Sequence, residues 1–182
     1  AELPLVRPRS VTVQRGELFA LHADGDGMAV SALRVGAGVA ASDWQRVLTV
    51  PKGINPFDME VDSNGRLYLS DETANHVYQF ERSGKLVQSL GRSDQQKAGT
   101  YDPETLMAPG KLATWRDADG NDRILIVENA GPNRVAEWSP DGKLLREFPT
   151  LQTTANDGYA MDPEHPQHLY IPGQKDWLTR FR

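Results

Sequence analysis

Four histidines, His22, His76, His165 and His168, are the first side chains to weigh, because imidazole ligates zinc and relays protons near neutral pH. Their spacing argues against a zinc centre. His165 and His168 flank Pro166-Gln167, where a hairpin aims them apart, and no His-Glu-x-x-His pair occurs. Nucleophilic motifs are equally thin: there is no Gly-x-Ser-x-Gly, and Gly36-Ala37-Gly38 opens no helix that would hold a phosphate. Without cysteine there is no thiol nucleophile, thiolate metal cluster or disulfide. Asp24-Gly25-Asp26-Gly27 has part of a calcium-loop pattern, but it lacks the closing glutamate and flanking helices and reads as a turn. Trp44, Trp115, Trp138 and Trp177 are platforms for a sugar or protein only if exposed. What remains abundant is Asp, Asn and Glu between short apolar runs, residues that cap turns and also hold hard cations.

Charge and length narrow the classes further. Twenty Lys and Arg against 25 Asp and Glu leave a net charge of −5, which repels a phosphate backbone, so no nucleic acid is expected as a partner. No run of 18 apolar residues spans a bilayer, so no membrane insertion is expected either. A chain of 182 residues suits one domain that buries roughly 70% of its unfolded surface. The opening Ala1-Glu2-Leu3-Pro4-Leu5 carries neither a basic nor an apolar targeting region, and a small first residue fits removal of a leader. Export to the periplasm or the extracellular space is the expectation.

The elements that must position any site are short strands. Proline and glycine punctuate alternating apolar runs, and no long helical stripe appears. Phe57–Val61, Arg66–Ser70, His76–Phe80 and Lys85–Leu90 form an antiparallel meander. Its first turn holds Asn64-Gly65, a pair that predicts positive φ at both positions. The series recurs 58 residues later: Asn75, Val77, Phe80 and Gly84 match Asn133, Val135, Trp138 and Gly142. A weaker copy precedes it, with strands at Ser10–Val13, Glu17–Leu21, Met28–Leu33 and Arg46–Val50, and a last copy ends at Phe181 before a fourth strand. Four-stranded units of this length are blades of an all-β propeller, with approximate bounds 9–50, 56–91, 108–149 and 157–182 in one domain, complete or partial.

The segment Pro56–Asp71, followed by Asn75–Phe80, Ser83-Gly84-Lys85 and Leu90-Gly91, resembles the NHL-repeat family of β-propellers. The resemblance implies a ring of about six blades, so this chain supplies part of one. The ends of such an arc leave apolar residues such as Leu18, Leu33, Leu169 and Ile171 uncovered, to be met by further blades or a second chain. Alternatively Leu3-Pro4-Leu5-Val6 supplies the missing last strand and closes a ring of four.

The resemblance also implies an axial channel lined by the first strand of each blade, with a mouth formed by the loops entering that strand and joining the second to the third. On this chain those loops carry Asp58, Asp71, Glu72, Glu128, Asn129, Asn156, Asp157 and Trp177, the expected ligand-binding set. Asp58, Asn156 and Asp157 are its calcium candidates, and Asn156-Asp157 is similar to an entry dipeptide of calcium-dependent lactonases on a related propeller. No catalytic residue stands out. The leading expectation is a noncatalytic module that binds a protein, peptide or glycan at the mouth. The other is a metal-dependent hydrolase or lyase with its cation in the channel.

Overall fold

The computed structural model describes residues 5–36, 38, 40, 43–92, 101–130 and 133–149, together with the strand backbones at 160–161, 169–172 and 178–181. The strands fall in chain order into four antiparallel sheets. The first holds β1 (Val6–Gln14), β2 (Glu17–Asp24), β3 (Gly27–Arg34) and β4 (Gln45–Thr49), and the second β5 (Asp58–Val61), β6 (Leu67–Asp71), β7 (His76–Phe80) and β8 (Leu86–Leu90). The third holds β9 (Pro109–Arg116), β10 (Asp122–Glu128), β11 (Arg134–Trp138) and β12 (Leu144–Pro149). The last has three strands, β13 (Ala160–Met161), β14 (Leu169–Pro172) and β15 (Leu178–Phe181). This is the all-β arrangement of propeller blades, in an open arc.

Turn chemistry sets the meanders, and it differs in one respect from expectation. Gly65 has φ 81°, but Asn64 is not in the left-handed region, so the turn is not a two-residue Asn-Gly hairpin. The Gly65 N–H bonds back to the Asp62 carbonyl, and the Asp62 N–H bonds to the carbonyl of Arg66. This is a longer turn that closes on a left-handed glycine. Asp62 explains the preference: its Oδ1 accepts the N–H groups of Asn64 and Arg66, both at 2.9 Å, and so acts as an internal turn template. The same backbone pattern recurs at Glu81/Gly84, Asp117/Gly120 and Ser139/Gly142. The doubly left-handed hairpin occurs instead at Arg15-Gly16, with φ 52° and 74°.

The sheets bury one another. Phe19, Leu21, Val30 and Leu48 pack on Met59, Val61, Leu67, Leu69 and Phe80 of the second sheet. Its other face places Tyr68, Val77 and Leu90 against Leu112, Ile124, Ile126 and Trp138 of the third. Every residue of β6 is consequently buried, which is why Leu67–Leu69 reads as an unbroken apolar run. The first strands β1, β5 and β9 lie side by side and form the inner edge of the arc. There Gln14 Nε2 and Thr114 Oγ1, from the two flanking sheets, both donate to the Val61 carbonyl oxygen, at 3.1 and 2.9 Å.

The outer face of the first sheet departs from expectation in detail. Leu18 and Leu33 are half-buried, whereas Val11 and Val13 on β1 are 62% and 63% exposed. Leu169 and Ile171 lie outside the described side chains. The alternative in which Leu3–Val6 completes the last sheet is corrected at Val6, which continues β1 and pairs with Ala23 in the first sheet. Leu3 and Pro4 lie outside the described residues.

Candidate functional site

The loops at one end of the inner strands gather the expected mouth residues, and hydrogen bonds fix most of those described. Asp58 is buried at the start of β5, where its Oδ2 accepts the Leu112 N–H at 2.9 Å and its Oδ1 lies 3.5 Å from Lys111 Nζ. Asp71, 1% exposed at the end of β6, accepts the N–H groups of Thr73 and Ala74 on one oxygen and that of Asn55 on the other. It thereby ties the β6–β7 turn to the loop entering β5. Glu72 accepts from the Asn129 side chain, joining the second sheet to the third. Asn75, at φ 58°, accepts the Ala108 N–H at 2.7 Å and adds a second tie across the same seam. Gly110 allows this approach, because a Cβ there would stand 2.4 Å from Asn129 Nδ2.

Glu128 is fully buried and belongs to a hub the sequence did not reveal. Its carboxylate accepts Arg134 Nε at 2.5 Å and the Met107 N–H at 2.7 Å. Burial pushes the Glu128 carboxyl up to about 7, with the guanidinium and the amide pulling the other way. Burial also opposes the charge on Arg134, yet the Glu128 and Glu147 carboxylates hold its pKa above the ordinary value. Arg134 further donates to Tyr101 Oη at 2.8 Å, to Glu147 at 2.6 Å and to the carbonyls of Pro103 and Thr105. It therefore holds the loop entering the third sheet in place.

The inner strand carries a second carboxylate that was not among the expected residues. Glu60 stands two residues beyond Asp58, on the same face of β5, and accepts Thr12 Oγ1 from the first sheet at 2.9 Å. Burial pushes its carboxyl up to about 7; the Thr12 and Val61 N–H bonds oppose this, and the Asp58 charge adds to it. Period-two alternation from Asp58 was the signal available for finding it.

Beside these residues, at the seam of the first two sheets, lies a cleft of about 540 Å³. Met28, Val50 and Ile54 form its apolar wall, and Arg9, Asp26 and Lys52 its charged rim. Arg9 is anchored there by the Pro56 carbonyl at 2.9 Å and Asn55 Oδ1 at 3.2 Å. Trp138 is core between sheets, and Trp115 is half-buried against the opposite face of the third sheet. Asn156, Asp157 and Trp177 lie outside the described residues, as do His165 and His168. Among the described residues no group of three or more His, Asp or Glu side chains is placed to hold a metal ion.

No family model matches the chain, and no curated protein matches it in sequence. Solved structures do match in fold. Virginiamycin B lyase from Staphylococcus aureus superposes with a TM-score of 0.56 at 13% identity, over 97% of this chain and 56% of that one. A 6-phosphogluconolactonase-like protein from Bacteroides fragilis gives 0.57 at 14%, over 99% and 55%. YCF48 bound to D1 peptide gives 0.51 at 16%, over 93% and 48%. The fold is that of β-propeller-like proteins. The chain spans about half the length of these structures.

Proposed function

We propose that the channel mouth of this chain is a noncatalytic interaction site of NHL-like type that binds a protein, peptide or glycan. The observation that carries the reading is the set of ties between neighbouring loops: Asn55 to Asp71, Asn75 to Ala108, Glu72 to Asn129, and Asp58 to Leu112. A mouth whose loops are already fixed loses little conformational freedom when a ligand arrives. The cleft beside it pairs an apolar wall with charges of both signs, a composition suited to a peptide side chain or a sugar ring. One propeller of similar fold was solved with a peptide bound, so the scaffold admits that ligand class.

Fluorescent wild-type chain applied to peptide and glycan arrays is expected to be retained on a subset of spots. Asp26→Lys or Lys52→Glu, at the exposed rim of the cleft, is expected to weaken retention strongly without moving the melting temperature by more than a few degrees. A second reading, a metal-dependent hydrolase or lyase with its cation in the channel, would draw on Asp58 and Glu60, which share one face of the inner strand. Stoichiometric calcium by elemental analysis, a melting temperature lowered by chelator and no retention on either array would transfer the proposal to that reading.

A further inference from the structure

We propose that Ser31 and His22 form a nucleophile–base pair for hydrolysis of a small carboxylic ester, in a cleft distinct from the channel mouth. His22 Nδ1 lies 2.9 Å from the Ala23 carbonyl oxygen, and His22 Nε2 lies 2.9 Å from Ser31 Oγ. A carbonyl only accepts, so Nδ1 carries the proton, and the Nε2 lone pair faces the Ser31 hydroxyl. Both side chains are buried, at 7% and 6% exposure, and both line a cleft of about 450 Å³. The tautomer and the bond to the hydroxyl are those a serine needs to lose its proton as it attacks.

The cleft wall has further features suited to that chemistry. Arg46 is the cross-strand partner of Ser31 and lines the same cleft, where its guanidinium pairs with Asp24 at 2.7 Å. Arg7, at the lip, has φ 46°, a strained conformation for a non-glycine residue, and β1 is irregular on both sides of Pro8. Such strain and bulges concentrate where a fold must aim side chains. Leu5, Val6 and Trp44 supply an apolar wall for an acyl group.

The step balances with water as second substrate. Ser31 Oγ bonds to the ester carbonyl carbon as its proton passes to His22 Nε2, and a tetrahedral oxyanion forms. The carbon–alkoxide bond then breaks, and the leaving alcohol takes the proton from Nε2. Water then bonds to the acyl carbon as Nε2 takes its proton; the bond from that carbon to Ser31 Oγ breaks, the acid leaves, and Nε2 returns the proton to Oγ.

The test is labelling of the intact chain with diisopropyl fluorophosphate, peptide mapping by mass spectrometry, and p-nitrophenyl acetate hydrolysis. One adduct at Ser31 is expected. Ser31→Ala should abolish it, and His22→Gln should slow both labelling and hydrolysis by about 10²-fold or more. If either variant fails to fold, the mapped adduct on the wild-type chain decides alone. A folded wild-type chain with no adduct, or an adduct elsewhere, overturns the proposal. Array binding through the mouth does not depend on this outcome.

Discussion

At the residue scale, the carboxylates near the arc's inner edge include some that hold loops and some, Glu60 and Glu128, whose charge burial opposes. Asp58 and Asp71 accept backbone N–H groups that would otherwise be buried without partners, a role in which the negative charge is an asset. Glu60 is one contrary case. Its folded carboxyl holds a proton up to about 7 against an ordinary 4.5, so the folded chain binds more protons than the unfolded one in that window. Stability from this group is therefore greatest at or below 4.5, falls as pH rises to about 7, and is level above. Glu60→Gln keeps an acceptor for Thr12 and removes the charge. It should match wild type near pH 4.5 and exceed it by about 1–3 kcal/mol at pH 8 in urea titrations. A difference that stays flat with pH would mean Glu60 is solvated. Gly110→Ala belongs to the same scale: its Cβ would displace Asn129 and break the tie to Glu72, at an expected cost of about 1–3 kcal/mol. A melting curve equal to wild type would show that the seam relaxes freely.

At the element scale, the second sheet is held on both its faces by its neighbours. Tyr68 and Ile126 are fully buried in one cluster between the second and third sheets, and truncating either to alanine should cost about 2–5 kcal/mol. Tyr68→Phe separates packing from polarity. The Tyr68 hydroxyl donates to Asp62 at 3.1 Å and accepts Gln79 Nε2 at 3.0 Å, and Gln79 Oε1 accepts Gln88, which also reaches the Pro140 carbonyl of the third sheet. Losing the hydroxyl strands two buried partners, so about 1–3 kcal/mol is expected in denaturant titration. A neutral result would mean water replaces it. Much of this scale was legible in the sequence. Alternating runs and glycine-closed turns gave the meanders, and the 58-residue recurrence gave their repetition, because strand period and turn conformation are local properties. Asn64 shows the limit: it looks like a turn residue with positive φ, but the Asp62 side chain settles a different turn.

At the scale of the whole molecule, the legible part thins out. Asp58, Asp71, Glu72, Glu128 and Asn129 were visible as loop residues, but the tie of Asp58 to Leu112 and that of Glu72 to Asn129 were not, because these residues become neighbours only once sheets stack. Glu60 was missed for the same reason, and the Ser31–His22 pair because it depends on the register of two neighbouring strands in one sheet. The stacked arrangement also ranks side chains of one type. Val61, inside a seam, is 1% exposed and Val13, on the outer face, 63%, so Val61→Thr should lower the melting temperature by several degrees while Val13→Thr changes stability by less than about 0.5 kcal/mol. Equal effects would place both in one environment.

The stacking of sheets around an inner edge is tested most directly by distance. Gln14 and Thr114, in the first and third sheets, both touch the Val61 carbonyl oxygen of the sheet between them. The chain has no cysteine of its own, so Gln14→Cys with Thr114→Cys gives a single defined pair. A short bismaleimide should join them within one folded monomer, seen as a linked peptide after digestion. Efficient labelling of both thiols without an intramolecular link would contradict the architecture.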